Sequence, residues 1–412
     1  MAGFRTLLFT RFAAQFSDGM FRAGLAGAVL FNPERGADPL TIAGGFAVLL
    51  LPYSMIGPFA GALLDRWDRR RVLIVANLLR GTAIVATAVA VGLGSAGIGL
   101  FVMALIVEGV SRFVGSGLSA SLPHVVPPGT LVTANALATT LGSVVAVLGG
   151  GAAIGLRALI GTGNAGSGWT TAAAMLFTLV AATIARRFAR GGLGPDSVDE
   201  PRDAVLAVAR GLVDGAKAAL AAPRVVAGFV ALLAHRASYG ISLLLTVLLL
   251  RYSFSDFGIL KAGLPGLGQL AVMAGAGILF SGFVTPRLVR RFGRRRAIPG
   301  ALGIAAVAQA GLGLPMKLPT MLVASFVITA AGQVVKLCVD SSIQHDVPDE
   351  SRGRVFSLYD TLFNITQVIA VSVAATIVPL TGRSVSLLLV ATVLYLLGAA
   401  GYLIITRRSR TD

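Results

Sequence analysis

One pattern recurs along almost the whole chain: a run of roughly 20 apolar residues, then a short polar segment rich in arginine. Runs of this length are long enough to cross a bilayer as helices. The pattern predicts twelve membrane-spanning helices, spans 1 to 12 in chain order. Their expected limits are residues 5–31, 40–63, 72–94, 98–121, 133–160, 168–188, 224–250, 258–284, 297–314, 318–340, 354–378 and 384–406.

The segment 190–223 interrupts the pattern and divides the chain into halves of similar size. It opens with the polar stretch RGGLGPDSVDEPRD and continues as AVLAVARGLVDGAKAAL, whose spacing predicts an amphipathic helix on the membrane surface. We therefore expect an N-terminal six-helix bundle over residues 1–189, a cytoplasmic linker over 190–223, and a C-terminal six-helix bundle over 224–412.

Short matches between the halves indicate an internal duplication, which is common among transporters. The matching stretches keep their order and nearly the same spacing: LLFTR (7–11) with LLAHR (232–236), DRWDRRR (65–71) with RRFGRRR (290–296), and SLPHVVP (121–127) with SIQHDVP (342–348). The predicted fold is thus all-α and integral to the membrane, with twelve transmembrane helices in two pseudo-symmetric six-helix bundles.

Composition and charge support this location. Hydrophobic residues make up 55% of the chain and charged residues 13%, whereas a typical soluble domain carries about 25% charged residues. The net charge of +17 lies mainly in one alternating set of loops, including Arg69–Arg71 and Arg294–Arg296. Basic loops stay in the cytoplasm, so we expect a multi-pass protein of the cell inner (plasma) membrane with both termini cytoplasmic. No nucleic-acid partner is expected.

The loop between spans 2 and 3 carries a motif. GALLDRWDRRR (61–71) resembles the signature loop of the major facilitator superfamily, in which Gly is followed by Asp-Arg and a basic cluster. Asp68 stands where that pattern usually has a second glycine, and the second copy keeps Gly293. The twelve spans and their division into two sets of six extend the resemblance to the whole chain.

Two further stretches resemble one branch of that superfamily, the drug and siderophore exporters, which include macrolide-efflux-like and enterobactin-exporter-like proteins. They are LPHVVPPGTLVTANAL (122–137) and VPDESRGRVFSL (347–358). The resemblance implies export of a small amphiphilic molecule, such as a drug, siderophore or other natural product, by alternating access and proton antiport. The glycines of GSVVAVLGGG (142–151) are expected to allow close packing between the halves.

The motif also implies a conformational latch between the halves. The carboxylate of Asp65 would cap the N-terminus of span 11 and hold the outward-open state. For the arginines, the alternative is that they only fix membrane topology. The residues assigned to the latch are Gly61, Asp65, Arg66, Arg69, Arg70, Gly353 and Arg354.

Polar side chains inside the spans predict a central cavity. A charge at bilayer depth costs about 2.5–3.5 kcal/mol on insertion scales, so it normally faces a cavity or a partner. In the superfamily that the motif resembles, spans 1, 4, 7 and 10 line the cavity. The expected cavity residues are Arg11, Gln15, Arg22, Arg112, His235, Arg236, Tyr239, Gln333, Lys336, Asn364 and Gln367. The proton-coupling candidates are Asp18, Glu108, Asp340 and Asp360.

Asp18 is favoured as the coupling acid, because it lies nearest the middle of the membrane on span 1. The alternative is a permanent ion pair with Arg22 or another cavity cation. Arg80 is expected to anchor a neighbouring helix or loop, and Arg11 and Asp340 to lie close enough to the cytoplasmic surface to be solvated.

Other charged residues could form structural pairs instead of lining the cavity. Glu108 and Arg112 are spaced i, i+4, as are Lys336 and Asp340, and side chains at that spacing meet on a helix. An excess of cations over acids in the spans favours an anionic or zwitterionic cargo.

The sequence alone leaves rival functions open. A lipid or lysolipid transporter or flippase on the same fold would show a lateral opening, and a transport-inactive sensor would have a collapsed cavity. An intramembrane enzyme would need a nucleophile with its base or a metal site, and the sequence offers neither. No cofactor is expected. The expected partners are a small-molecule substrate, protons and membrane lipids, and the chain is expected to act as a monomer.

Overall fold

The computed structural model describes residues 2–32, 38–55, 67–127, 130–194 and 204–408. In these residues the chain forms thirteen α-helices and no β-strand. Their bounds are α1 Ala2–Leu30, α2 Pro39–Met55, α3 Arg69–Gly92, α4 Ile98–Ala120, α5 Leu131–Ile160, α6 Asn164–Ala185, α7 Ala204–Leu220, α8 Pro223–Tyr252, α9 Gly263–Phe292, α10 Arg294–Ala308, α11 Leu318–Asp346, α12 Asp349–Ala375 and α13 Val385–Arg408.

The predicted all-α fold is confirmed, and every predicted span coincides with an α-helix. Spans 1 to 6 are α1 to α6, the linker helix is α7, and spans 7 to 12 are α8 to α13. In the residues described, nine helices are long and apolar enough to cross a membrane on composition alone. The other three spans are α1, which carries several charges, α2, which is described only to Met55, and α10, which continues into a π-helical turn at Gln309–Gly313.

The chain divides into two compact units. Unit 1 comprises residues 1–37 and 47–208, and unit 2 comprises residues 38–46 and 209–412. In unit 1, α1 packs against α5 and α6, and α3 packs against α4 and α6. In unit 2, α8 packs against α11, α12 and α13, and α11 also packs against α9 and α10. Thus α1 in unit 1 and α8 in unit 2, both of which carry polar residues, each pack against at least two other spans of their unit.

Small residues bring α1 and α5 into backbone contact within unit 1. A Cβ atom on Gly19 would collide with the carbonyl of Ala146, and one on Gly149 would collide with the carbonyl of Phe16. The prediction that residues 142–151 pack between the halves was therefore wrong for Gly149. Helices that meet backbone to backbone need glycine at the contact, and α1 supplies the matching glycine inside the same unit.

The two copies of the basic loop turn the chain by different means. Asp68 has a φ of −52° and caps α3, accepting a hydrogen bond from the Arg70 amide at 3.0 Å. Gly293 has a φ of +71°, a left-handed conformation that favours glycine. The substitution of aspartate for glycine in the first copy thus replaces a glycine turn with a helix cap.

In both copies, the first arginine of the final Arg-Arg-Arg run holds the end of a helix in the same unit. Arg69 donates to the carbonyl of Ala120 at 2.9 Å, the last residue of α4. Arg294 donates to the hydroxyls of Ser341 and Ser342 at 3.4 Å, near the end of α11. A cation is favourable at a helix C-terminus because the helix dipole is negative there. The duplication seen in the sequence is thus repeated in these contacts.

The linker helix α7 packs onto unit 2 at its C-terminal end. Ala219 is buried in the same hydrophobic cluster as Ile343 and Val355 of α11 and α12. A Cβ atom on Gly215 would come within 2.7 Å of the Arg354 carbonyl oxygen, so glycine is needed for this approach. The predicted amphipathic helix is present, and its location on the membrane surface stays a prediction.

Candidate functional site

Unit 1 contains a bidentate ion pair between α1 and α4. Arg22 donates from Nε to Glu108 Oε1 at 3.0 Å and from Nη2 to Oε2 at 2.7 Å. This planar fork matches the carboxylate and is among the stronger hydrogen-bonded pairs in proteins. The sequence spacing allowed Glu108 to pair with Arg112, but both Glu108 oxygens accept hydrogen bonds from Arg22.

A second ion pair joins α3 to α1. Arg80 donates from Nη1 to Asp18 Oδ1 at 2.8 Å and to the Ser111 hydroxyl at 3.3 Å, and from Nη2 to the Ala14 carbonyl at 3.3 Å. Arg80 therefore anchors two neighbouring helices, α1 and α4, as its position in a span predicts. The partner of Asp18 is Arg80, whereas Arg22, the other cation considered for it, binds Glu108.

The two pairs differ in which partner is accessible. The Arg80 side chain is 1% exposed and Asp18 is 15% exposed. In the other pair the carboxylate is enclosed and the guanidinium is not: Glu108 is 1% exposed and Arg22 is 35% exposed. Breaking the first pair would leave an enclosed cation, whereas breaking the second would leave an accessible one.

Two more of the expected cavity residues lie on α1. Arg11 is only 6% exposed, and its Nη2 donates to the Ser119 hydroxyl of α4 at 2.7 Å. The prediction that Arg11 is solvated was wrong, because α4 covers the guanidinium and offers it a hydroxyl. The Gln15 side chain faces Gly142 of α5, and its Oε1 is buried with no hydrogen-bond partner among the residues described.

In unit 2, the cation Arg236 is held by aromatic rings, whereas the arginines Arg22 and Arg80 of unit 1 bind carboxylates. The guanidinium carbon of Arg236 on α8 lies 3.4 Å from the centre of the Phe363 ring on α12, and 5.8 Å from that of Tyr239. No carboxylate in the described chain forms an ion pair with Arg236, and its Nε is buried without a hydrogen-bond partner there. The positive charge is therefore held by an aromatic face rather than by an acid.

A lysine and an aspartate on α11 adjoin this aromatic group. Lys336 donates to Asp340 at 2.8 Å, so the pair predicted from their i, i+4 spacing forms. The Lys336 ammonium also lies 5.4 Å from the centre of the Tyr359 ring, which stacks on Phe363 at 5.8 Å. Arg236 and Lys336 thus approach the same pair of stacked rings.

The remaining expected cavity residues of unit 2 differ in burial and in their contacts. His235 is buried with its Nε2 3.1 Å from the Ile328 carbonyl, and Gln367 is buried with Oε1 unpartnered among the residues described. Asn364 donates to the backbone carbonyl of Asp360 in its own helix at 2.8 Å. Gln333 is partly buried and the Asp360 side chain is exposed.

A small cavity of about 30 Å³ lies beside this group in unit 2. Ser242, Thr246 and Gln309 supply polar atoms to its wall, and the Ser242 hydroxyl donates to Gln309 Oε1 at 3.0 Å. Such a volume holds about two water molecules, and the polar wall suits them. Gln309 was not predicted from the sequence, although it is a lone amide in the apolar run of span 9. Phe363 was not predicted either, since an aromatic residue in a span gives no distinguishing signal.

The latch residues fall partly outside the described chain. Gly61, Asp65 and Arg66 lie there, so the contact of Asp65 with α12 stays a prediction. Arg70 donates to the Arg186 carbonyl at 3.1 Å, and Arg69 holds the end of α4, so both bind backbone of unit 1. Gly353 and Arg354 are exposed, and Arg354 lies 3.3 Å from Asp214 of α7.

Comparisons with known proteins agree with the motif. A family model described as Major Facilitator Superfamily matches residues 7–371. An uncharacterized MFS-type transporter of Mycobacterium tuberculosis is 42% identical over 413 residues, covering 99% of this chain and 92% of its own, and one of Mycobacterium bovis gives the same values.

Solved structures of transporters share the fold. A crystal structure of the peptide transporter POT in complex with sulfate matches with a TM-score of 0.74 and 16% identity, covering 98% of this chain and 94% of that one. A variant of the nucleoside transporter NupG matches with a TM-score of 0.72 and 12% identity, covering 99% of each chain. At these identities the likeness bears on the fold alone.

Proposed function

The chain belongs to the Major Facilitator Superfamily, and on that premise we propose that it exports a small amphiphilic molecule in exchange for protons. Membership makes it a multi-pass membrane transporter of small molecules and not an enzyme. Alternating access by rocking of the two bundles is the mechanism proposed. The exporter-like stretches 122–137 and 347–358 support the direction, and the arginine-rich loops support an inner-membrane location with both termini cytoplasmic.

The coupling part of the proposal rests on the unequal accessibility of the two ion pairs in unit 1. A guanidinium does not give up its proton in a protein. If Asp18 took up a proton, Arg80 would stay charged, enclosed and without a carboxylate, and removing one partner of a buried pair costs about 3–5 kcal/mol. Asp18 therefore suits a permanent charge that fixes α1 to α3.

Glu108 suits the coupling role better. When Glu108 takes up a proton, Arg22 loses this carboxylate but keeps an accessible side chain that water can solvate. The penalty for releasing this cation is smaller than for Arg80. We therefore assign proton exchange to Glu108 and Arg22, although the depth of Asp18 in span 1 favoured that residue from the sequence.

The test compares the small-molecule content of cells and medium by mass spectrometry in strains that produce the wild-type chain, Glu108→Gln or no transporter. Export predicts compounds that are enriched in the medium with the wild type and retained in the cells with Glu108→Gln. A protonophore should abolish the enrichment, because it collapses the proton gradient.

Matched controls separate coupling from folding. Asp18→Asn should lower the amount of folded protein, whereas Glu108→Gln should leave it nearly unchanged. Compounds enriched inside the cells would reverse the proposed direction. Enrichment of a lipid or lysolipid in the medium would favour the flippase alternative, and an unchanged distribution would contradict export.

A further inference from the structure

We infer that Arg236 binds an oxyanion of the transported molecule, a carboxylate, sulfonate or phosphate group attached to an aromatic or other apolar body. This inference rests on the proposed transport function and names the chemical class of its cargo. It is carried by three observations on unit 2: the stacking of Arg236, its lack of a carboxylate partner among the residues described, and the aromatic residues around it.

The stacking does not use the two terminal Nη groups of the guanidinium, which make no hydrogen bond in the described residues, whereas Nε is buried. Phe363 lies 3.4 Å from the guanidinium carbon, a distance at which the ring covers one face of the planar group. The N–H donors of arginine point outward in that plane, so a ring on the face does not use them. An oxyanion can therefore bind the edge in a bidentate manner while Phe363 holds the plane in place.

The nearby acids do not neutralise Arg236. Asp340 accepts a hydrogen bond from Lys336 at 2.8 Å, and Asp360 forms no ion pair with Arg236. An arginine within a membrane span is costly, and such residues by default indicate a binding or transport role. Neutralisation by a bound anion would supply the missing charge.

The repeat-related arginine of unit 1 supports this assignment by contrast. Arg11 aligns with Arg236 through the matching stretches LLFTR and LLAHR. Arg11 is buried and donates to Ser119, a hydroxyl of its own unit. The same position in unit 2 has rings in place of a hydrogen-bonding neighbour, so the Nη donors of Arg236 make no hydrogen bond within the described residues and can serve a ligand.

The surroundings define the rest of the cargo. Phe363 stacks on Tyr359, and Tyr239 lies beside Arg236. Aromatic walls favour a flat apolar body through stacking and burial. Lys336 also lies above the Tyr359 ring, but Asp340 balances its charge, so Arg236 is the cation that disfavours a cationic cargo at this place.

The experiment measures binding of three matched probes to the full-length protein in detergent by equilibrium dialysis. The probes are naphthalene-2-sulfonate, naphthalene-2-methanol and naphthalene-2-methylammonium, which share one ring system and differ in charge. We expect the anion to bind most tightly. Arg236→Gln should weaken anion binding about 10- to 100-fold, because it removes charged hydrogen bonds.

Further variants make the result independent of folding. Arg236→Lys keeps the charge but loses the planar fork, so an intermediate loss is expected. Phe363→Leu should weaken anion binding roughly 2- to 30-fold by removing the ring that orients the guanidinium. Arg287→Gln is the matched control, since Arg287 is exposed on α9 and donates to the Phe283 carbonyl of its own helix.

Equal binding of the three probes, no binding of the anion by the wild type, or unchanged anion binding in the folded Arg236 variants would overturn the inference. Dialysis needs neither a gradient nor a direction of transport. Anion binding through Arg236 without export would therefore contradict the proposed function and leave the binding site standing. Export that does not depend on Arg236 would contradict the binding site and leave the proposed function standing.

Discussion

The two units of this transporter stabilise their intramembrane charges differently. In unit 1, Asp18 and Glu108 each accept hydrogen bonds from an arginine, so four charges form two pairs that join α1, α3 and α4. In unit 2, Arg236 faces Phe363 and no acid of the described chain pairs with it. If the halves arose by duplication, as their matching stretches indicate, the polar side chains at these positions have since diverged. We relate this divergence to a division of labour, proton exchange in unit 1 and cargo binding in unit 2.

The largest expected effect comes from breaking the ion pair between Asp18 and Arg80 in unit 1. Asp18→Leu should lower the free energy of unfolding by about 3–5 kcal/mol, because the enclosed Arg80 guanidinium is left without its carboxylate. The measurement is thermal or denaturant unfolding of the purified protein. The double variant Asp18→Leu with Arg80→Met should recover much of the loss, since an apolar pair needs no neutralisation. Equal stability of the single variant and the wild type would show that this pair does not hold the helices.

The next prediction compares the two repeat-related arginines. Arg11→Gln should lower the free energy of unfolding by about 1.5–3 kcal/mol, because a charged hydrogen bond to Ser119 is lost. Arg236→Gln should change it by less, about 0.5–2 kcal/mol, since only the contact with aromatic rings is lost. Unfolding curves of both variants measured in the same detergent give the comparison. A larger loss at Arg236 would mean that this arginine is structural, and would remove the contrast between the units.

The smallest expected effects come from removing Arg69 or Arg294, the arginines that hold the ends of α4 and α11. Arg69→Ala should cost about 1–2 kcal/mol, because its bonds are to backbone carbonyls at a buried site. Arg294→Ala should cost less than about 1 kcal/mol, because its bonds to Ser341 and Ser342 are long and one is exposed. Hydrogen exchange at the ends of α4 and α11 should show the same order. Equal losses of amide protection in the two variants would mean that Arg69 and Arg294 stabilise their helix ends equally.

Most of the fold could be predicted from the sequence because it depends on local pattern. The lengths of the apolar runs predicted the spans, and the arginine clusters predicted the loops between them. The polar linker 190–223 predicted the division into halves. The ion pair of Lys336 with Asp340, which their i, i+4 spacing allowed, also lies within a single helix. Spacing along a helix fixes such contacts before any tertiary structure is known.

The site was harder to predict because its contacts join separate helices. Which arginine reaches Asp18 depends on how α3 packs on α1, and no spacing in the sequence encodes that choice. For the same reason the sequence favoured solvation for Arg11, where α4 in fact covers it. Phe363 resembles any other aromatic residue of an apolar span until α8 brings Arg236 against it.

The backbone contact at Gly19 and Gly149 limits how unit 1 can move. Where side chains separate two helices, the helices can slide or roll as rotamers change. Here carbonyl oxygens meet glycine Cα atoms directly, so no side-chain layer separates α1 from α5 at these two contacts. We therefore expect α1 and α5 to move together, so that a displacement of the charges on α1 during a transport cycle would also displace α5.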